Sequence, residues 1–213
     1  NSVESQTKKT GINYKGKISL KPFNFEINLD LEKADLFRLI DPDSIFLDFI
    51  KNGILFNNNL SAKINLKSDY LKENKFFDSM IILFNIKNGK IDLNQTFLTN
   101  KNIGTLKIID SDLFISNGKL IFSSNISINL KNLNNFYSLM QTPKRIRKEI
   151  DNIDININYN FLENFVTFNS FKINNSEIID NIQNILNSLE VQENLNIIKT
   201  RSFINKILQN YSG

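Results

Sequence analysis

Apolar residues occupy every second position through much of this chain, which is the spacing of strands with one buried face. The alternation predicts one strand at residues 12–20 and another, of opposite parity, at residues 23–29. Lys21-Pro22 is a poor two-residue turn, so we expect a bulge or bend at Pro22 rather than a reversal of the chain. Further alternating segments lie at residues 60–66, 120–130, 153–159 and 165–173.

Two hairpins are indicated by Asn-Gly pairs, which favour the type I′ turn between right-twisted strands. The two turns are Asn88-Gly89 and Asn117-Gly118. In the register that these turns imply, apolar residues face each other across both hairpins: Ile86 faces Ile91, Phe84 faces Leu93, Ile115 faces Leu120 and Leu113 faces Phe122.

Helical spacing of apolar residues appears in three regions of the chain. It predicts short helices near residues 31–51 and 135–148, and two amphipathic helices within residues 176–213. The whole pattern predicts a mainly β (α+β) fold, with a large curved antiparallel sheet, short flanking helices and two C-terminal helices. We expect a polar N-terminal segment at residues 1–10, one sheet domain at residues 11–175 and the C-terminal helices at residues 176–213.

The chain has 213 residues and contains no His, Cys or Trp. These absences remove the commonest general base, the soft metal ligands and the thiol nucleophile. Acidic clusters occur at residues 41–43, 110–112 and 151–154, and each coincides with an expected helix cap or strand turn. With no phosphate-binding loop or nucleophile motif present, we expect neither catalysis, nor a metal site, nor a cofactor.

The formal charge is +4, and the densest basic run comprises Lys144, Arg145, Arg147 and Lys148. This run could contact anionic lipid headgroups, or it could be an ordinary solvated edge. Nucleic acid is not an expected partner, because no aromatic residues for base stacking lie within the run. No apolar stretch is long enough for a membrane-spanning helix. Since the chain starts without a Met or an apolar leader, we expect a mature form or a piece of a longer protein.

Several stretches of the chain carry a family resemblance. They are KPFNFEINLD at residues 21–30, IGTL at 103–106, DSDL at 110–113, NGKL at 117–120, FY at 136–137 and QTPK at 141–144, followed by Arg147. Together they resemble the C-terminal region of AsmA-like proteins from AT-rich alphaproteobacteria. The resemblance implies a periplasmic protein that an N-terminal helix tethers to the inner membrane of a Gram-negative cell. It also implies a relation to TamB-type bridge-like lipid transfer proteins, in which a curved sheet encloses an apolar groove for phospholipid.

Our leading hypothesis is a non-enzymatic module for phospholipid transport between the inner and outer membranes, and hence for outer-membrane biogenesis. Six apolar residues are expected to line the groove: Ile64, Phe84, Leu93, Phe122, Ile128 and Ile155. The partner is then a phospholipid or another acyl-chain lipid, and the C-terminal helices could contact a membrane or an envelope protein. The alternative is a structural or protein-interaction module of the cell envelope with a fully packed core and no groove.

Overall fold

The computed structural model describes residues 2–9, 11–21, 23–36, 48, 50, 52–161, 163, 165–177 and 197–212. The described part is mainly β, as the sequence predicts, and its strands form one twelve-stranded sheet. The strands are β1 Ser2–Lys9, β2 Ile12–Leu20, β3 Phe23–Leu31, β4 Ser61–Ser68, β5 Ser79–Lys87, β6 Lys90–Asp92, β7 Phe97–Asn100, β8 Gly104–Ser116, β9 Lys119–Leu130, β10 Asn152–Asn160, β11 Phe165–Ile173 and β12 Ser176–Glu177. Helix α1 spans Leu133–Met140 and helix α2 spans Ile197–Ser212, and short 3-10 helices lie at Ile54–Phe56 and Lys144–Ile146.

The sheet is mixed rather than purely antiparallel. Its strand order is β1-β2-β3-β4-β5-β6-β8-β9-β10-β11-β12, with β7 pairing β5 and β8 beside this path. Every described pair is antiparallel except β3 with β4, which run parallel from Asn24 opposite Ser61 to Leu31 opposite Ser68. A parallel pair needs a long crossover connection, and residues 32–60 provide it. Alternation alone does not distinguish parallel from antiparallel neighbours, so this pair was not predicted.

The expectation of a bulge or bend instead of a reversal is wrong, because the chain reverses between Leu20 and Phe23. Strands β2 and β3 form an antiparallel hairpin in which Leu20 pairs with Phe23 and Ile18 with Phe25. A two-residue connection pairs residues of opposite parity on the same face of the sheet, so it produces the parity change seen in the sequence. The change of parity is therefore the signature of this hairpin.

Strand β1 lies within residues 1–10, for which the sequence predicts only a polar N-terminal segment. It pairs with β2 along its whole length, from Ser2 opposite Ser19 to Lys9 opposite Ile12. Its sequence, SVESQTKK, has a single apolar residue, Val3, and so shows no alternation. Backbone pairing with β2 therefore defines this strand, although its side chains show no alternation of apolar and polar residues.

Both Asn-Gly hairpins are confirmed. Asn88 and Asn117 have φ near 52°, and the glycines that follow them have φ of 71° and 74°, as the type I′ turn requires. The predicted partners are observed for Ile86 with Ile91, Ile115 with Leu120 and Leu113 with Phe122. In the first hairpin the β5–β6 pairing ends at Asn85 opposite Asp92, one residue before Phe84 and Leu93.

Two bulges let long strands keep their apolar residues on one face. In β8 the register shifts between Ile108 and Asp110, which leaves Ile109 without a partner in β9 and 53% exposed. Leu106 and Ile108 before this bulge have even numbers and Leu113 after it has an odd one, so one extra residue places all three on the same face. The β10–β11 pairing has a similar shift after Asn156.

Helix α1 confirms the beginning of the helix expected near residues 135–148 but ends at Met140. The side chain of Asn132 caps its N-terminus by accepting a hydrogen bond from the backbone N–H of Asn135 at 3.0 Å. Gln141 ends the helix in the left-handed conformation, with φ of 54°. Helix α2 is the second predicted C-terminal helix. The first one, at residues 178–189, lies outside the described residues, as does most of the helical region at 31–51, where Asp48 and Ile50 are helical.

Two main hydrophobic clusters pack against one face of the sheet. The central cluster comprises the buried residues Ile50, Ala62, Phe84, Ile86, Ile91, Leu113 and Leu120. The C-terminal cluster comprises Phe136, Tyr137, Met140, Ile146, Ile150, Ile153, Phe171, Ile173, Ile207 and Leu208. Helices α1 and α2 thus cover the β9–β11 end of the sheet. A smaller cluster contains Ala34, Leu71 and Met80.

Candidate functional site

One face of the sheet carries a row of mainly apolar residues from β1 to β11. The successive cross-strand partners in this row are Val3, Ile18, Phe25, Ala62, Ile86, Ile91, Leu113, Phe122, Tyr159 and Val166. Directly paired residues lie on the same face, so the row belongs to a single surface, called here the apolar face. The opposite surface is called the polar face.

The apolar face is buried in its middle and exposed at its β1–β3 end. Five large apolar side chains on this end are between 45% and 65% exposed: Val3, Ile12, Ile18, Leu20 and Phe23. They share the face because Val3 pairs with Ile18, Leu20 pairs with Phe23, and Ile12, Ile18 and Leu20 have the same parity in β2. We call these five residues the open apolar patch. Exposed apolar side chains that share one face of a sheet are a common feature of interaction surfaces.

Four of the six predicted groove residues lie together at the central cluster. Phe84 is a buried member of the cluster, and Ile64, Leu93 and Phe122 are partly buried residues packed against it. Ile50 is fully buried in the same cluster. The structure therefore brings these four side chains onto one part of the apolar face, in contact with other apolar residues.

The other two predicted groove residues, Ile128 and Ile155, pack against the C-terminal cluster, to which α1 and α2 contribute. Helix α2 lies close enough for its Phe203 ring to contact Phe168 of β11, with ring centroids 5.6 Å apart. The six predicted residues thus share the apolar face but divide between two clusters.

Polar contacts fix α2 to the end of α1. Arg201 donates from Nε to the carbonyl oxygen of Leu139 at 2.7 Å, and Asn205 donates from Nδ2 to the carbonyl oxygen of Met140 at 3.0 Å. Carbonyl groups in the last turn of a helix lack partners within that helix, so α2 satisfies acceptors that α1 leaves free. The hydroxyl of Thr142 also donates to Asn205, at 2.8 Å.

None of the predicted groove residues belongs to the open apolar patch, although alternation predicts both of its main strands, at residues 12–20 and 23–29. What the sequence did not show is which part of the apolar face the helices leave exposed. The exposed part depends on where the helices pack against the sheet, and this packing is a tertiary feature that the local sequence pattern does not encode.

All four residues of the basic run are exposed, but they differ in their contacts. Arg147 donates from Nε to the carbonyl oxygen of Thr142 at 3.0 Å, and its guanidinium carbon lies 5.4 Å from the centroid of the Tyr137 ring. This is a cation–π arrangement, and it gives Arg147 a structural role at the end of α1. Lys144 and Arg145 belong to the 3-10 helix that follows.

Tyr137 anchors the chain after the 3-10 helix. Its hydroxyl accepts a hydrogen bond from the backbone N–H of Lys148 at 3.0 Å and donates one to the carbonyl oxygen of the same residue. Burial raises the pKa of Tyr137 above its usual value of 10.0, against the opposing influence of the Lys148 backbone and of Arg147. The phenol therefore stays protonated and remains a hydrogen-bond donor over the physiological pH range.

The polar face carries residues of alternating charge across β1–β4. Glu4 pairs with Lys17, Lys17 with Glu26, and Glu26 with Lys63, and the Lys17 ammonium lies 3.4 Å from the Glu4 carboxylate. Such cross-strand pairs favour this strand register. A shallow concavity of about 390 Å³ lies on this face, with a mixed lining: Glu26, Asn28, Lys63, Asn65, Ile81, Leu83, Gln95 and Phe97.

The acidic clusters show no arrangement for metal binding in the described residues. Within that part of the chain, no group of three or more carboxylates could hold a metal ion. Asp154 accepts a hydrogen bond from the side chain of Asn152 at 3.1 Å, and Asp110 directly follows the bulge in β8. The cluster at residues 41–43 lies outside the described residues.

Neither described helix is long and apolar enough to cross a membrane.

Comparison with known proteins assigns no family to the chain. No family model matches it, and no solved structure matches it. A similarity exists to Cytotoxin-L of Paraclostridium sordellii, with 28% identity over 166 residues, which is 72% of this chain. The chain spans only 6% of the length of that toxin. This similarity describes a small part of a much larger protein and transfers no activity to the present chain.

Proposed function

We propose that this chain is a non-enzymatic, AsmA-like module that holds the acyl chains of phospholipids against the apolar face of its sheet. In this proposal it acts in the periplasm of a Gram-negative bacterium, tethered to the inner membrane, and contributes to phospholipid transport toward the outer membrane. The stretches at residues 21–30, 103–106, 110–113 and 117–120 support the family, and the open apolar patch supports the ligand class.

The observation that carries the proposal is the open apolar patch itself. An acyl chain needs apolar contact and no hydrogen-bonding partners, and the five side chains offer only hydrocarbon and aromatic groups. The neighbouring residues of β2 and β3 that point to the polar face are Lys, Ser, Asn, Glu and Asp, so one face of the same strands is suited to lipid and the other to water.

The alternative function is a structural or protein-interaction module of the envelope. The specific observation in its favour is the C-terminal cluster, where α1 and α2 pack over the part of the apolar face that includes Ile128 and Ile155. At that end the helices complete an ordinary core between sheet and helix. The two functions therefore predict different partners for the β1–β3 end of the apolar face, a lipid in one case and a protein in the other.

Site-specific photocrosslinking tests the proposal. A photoreactive amino acid at Ile18 or Phe23 is expected to yield phospholipid adducts when the protein is purified without detergent from a Gram-negative periplasm. The matched controls are Lys17 and Asn24, which directly neighbour these residues in sequence but point to the opposite face. Probes at Ile128 are expected to crosslink within the protein, to residues of the C-terminal cluster, instead of to lipid.

The outcomes separate the two functions. Lipid adducts at Ile18 and Phe23, together with none at Lys17 and Asn24, support lipid binding by the open apolar patch. Protein adducts at Ile18 and Phe23 without any lipid support the interaction module. Equal lipid labelling on both faces would contradict the proposal, because it would indicate nonspecific contact with membrane fragments.

A further inference from the structure

Strand β1 forms one edge of the sheet, and the outer side of that strand has no partner among the described residues. Its inner side pairs with β2 over all eight residues. The side chains of residues 3–6 are exposed. An edge strand presents a row of backbone N–H and C=O groups that another strand can pair with.

Natural edge strands usually carry features that block such pairing. Proline, a bulge or a very short length are common ones. Strand β1 is eight residues long, contains no proline and pairs with β2 without any shift of register. The edge is therefore regular, but it carries Glu4, Lys8 and Lys9, and charged residues, lysine above all, also discourage edge pairing. A strand can pair with this edge only in a register that places opposite charges against Glu4 and Lys8.

We propose that the occupant of this edge is the β1 strand of a second copy of this chain, paired antiparallel about a twofold axis at Gln6. In this register Glu4 of each copy lies opposite Lys8 of the other, and Ser5 lies opposite Thr7. Two pairs of opposite charge then flank the axis. The inference stands apart from the proposed function, since it rests on the strand edge and its charges alone.

Charge complementarity selects this register over its neighbours. A twofold axis at Glu4 or at Lys8 brings two like charges directly together, which disfavours pairing. An axis at Ser5 or at Thr7 places Glu4 or Lys8 opposite uncharged residues. A twofold axis that lies between two residues pairs odd-numbered with even-numbered positions. Such a register joins the apolar face of one copy to the polar face of the other. Only the axis at Gln6 keeps the faces continuous and pairs the charges.

The dimer would extend two features already present in one copy. On the polar face, the alternation Glu26, Lys17, Glu4 would continue with Lys8 of the second copy. On the apolar face, the two open apolar patches would lie on the same side of one continuous sheet. An isologous contact of this kind closes after two copies, because each β1 edge is used once.

Charge reversal tests the register. Sedimentation velocity over a range of protein concentrations is expected to show a dimer for the natural sequence. Glu4→Lys and Lys8→Glu are each expected to weaken the dimer by about tenfold, because attraction becomes repulsion in two symmetric pairs. The double variant is expected to restore the dimer, since each reversed charge again faces its opposite. Thermal melts of all variants check that the fold is retained.

A cysteine scan gives an independent readout, because the chain contains no cysteine. Gln6→Cys is expected to form a disulfide-linked dimer on oxidation, since residue 6 meets itself at the axis. Lys15→Cys, whose position pairs with Gln6 one strand further in, is the matched control and is expected to stay monomeric under denaturing conditions.

Three results would overturn the inference. They are a natural chain that stays monomeric at every concentration, a double charge variant that does not recover the dimer, and assemblies that grow beyond two copies. The last result would indicate that β1 pairs with a different edge, such as that of β11.

Discussion

At the scale of single residues, the two Asn-Gly turns form a natural pair for comparison. Both glycines have positive φ, 71° for Gly89 and 74° for Gly118, so a side chain at either position adds strain. They differ in surroundings. A Cβ at Gly118 would meet nothing within 4 Å, whereas one at Gly89 would lie 2.8 Å from the backbone oxygen of Phe56.

We therefore expect Gly118→Ala to lower the free energy of unfolding by about 1 kcal/mol, the typical cost of backbone strain at this kind of position. Gly89→Ala is expected to cost at least twice as much, because a backbone atom must also shift. Urea unfolding followed by circular dichroism measures both values, and each variant serves as the control for the other. Equal costs would show that the contact with Phe56 is unimportant.

At the scale of elements, helix α2 offers a contrast between its two sides. Ile207 is 1% exposed within the C-terminal cluster, whereas Ile198, near the start of the same helix, is 71% exposed. Ile207→Ala is expected to lower the free energy of unfolding by about 2–5 kcal/mol, the cost of a cavity in a packed core. Ile198→Ala is expected to change it by less than about 0.5 kcal/mol. Chemical denaturation measures both, and a small effect at Ile207 would mean that α2 covers the sheet only loosely.

The elements also show how far the sequence could predict this molecule. Alternation identified β2, β3, β4, β9, β10 and β11, because this signal is local. The Asn-Gly pairs gave the register of two hairpins, and with it the end of β8 at Leu113 and Ile115. Strand β1 was not identified, since its pairing is through the backbone and its side chains do not alternate. For the β2–β3 turn, the change of parity between residues 20 and 23 is the signal that agrees with the structure, and the unfavourable turn sequence Lys21-Pro22 is the one that does not.

The candidate site was predictable only in part. Sequence alternation placed Phe84 and Ile128 on one apolar face, and the cross-strand register agrees with this. It could not show that α2 covers the region of Ile128, or that Val3 and Leu20 stay exposed. Whether a helix covers part of the sheet depends on contacts between residues far apart in the chain. Such contacts leave no periodic pattern in the sequence of the helix or of the strand.

At the scale of the whole molecule, a single sheet carries two separate cores. The central and C-terminal clusters share no residue, neither among their buried members nor among the partly buried residues packed against them. Backbone hydrogen bonds along β8 and β9 connect them. Side-chain packing is therefore local to each cluster, while the strands that support the packing are common to both.

This arrangement predicts additive effects of small core substitutions. Ile91 and Ile173 are both fully buried, one in each cluster. Ile91→Val and Ile173→Val are each expected to lower the free energy of unfolding by about 0.5–1.5 kcal/mol. The double variant should equal the sum to within about 0.5 kcal/mol, because Ile91 and Ile173 belong to different clusters of the described residues. Urea unfolding of the four proteins measures the cycle. A larger coupling would show that strain passes from one core to the other through the strands that both cores share.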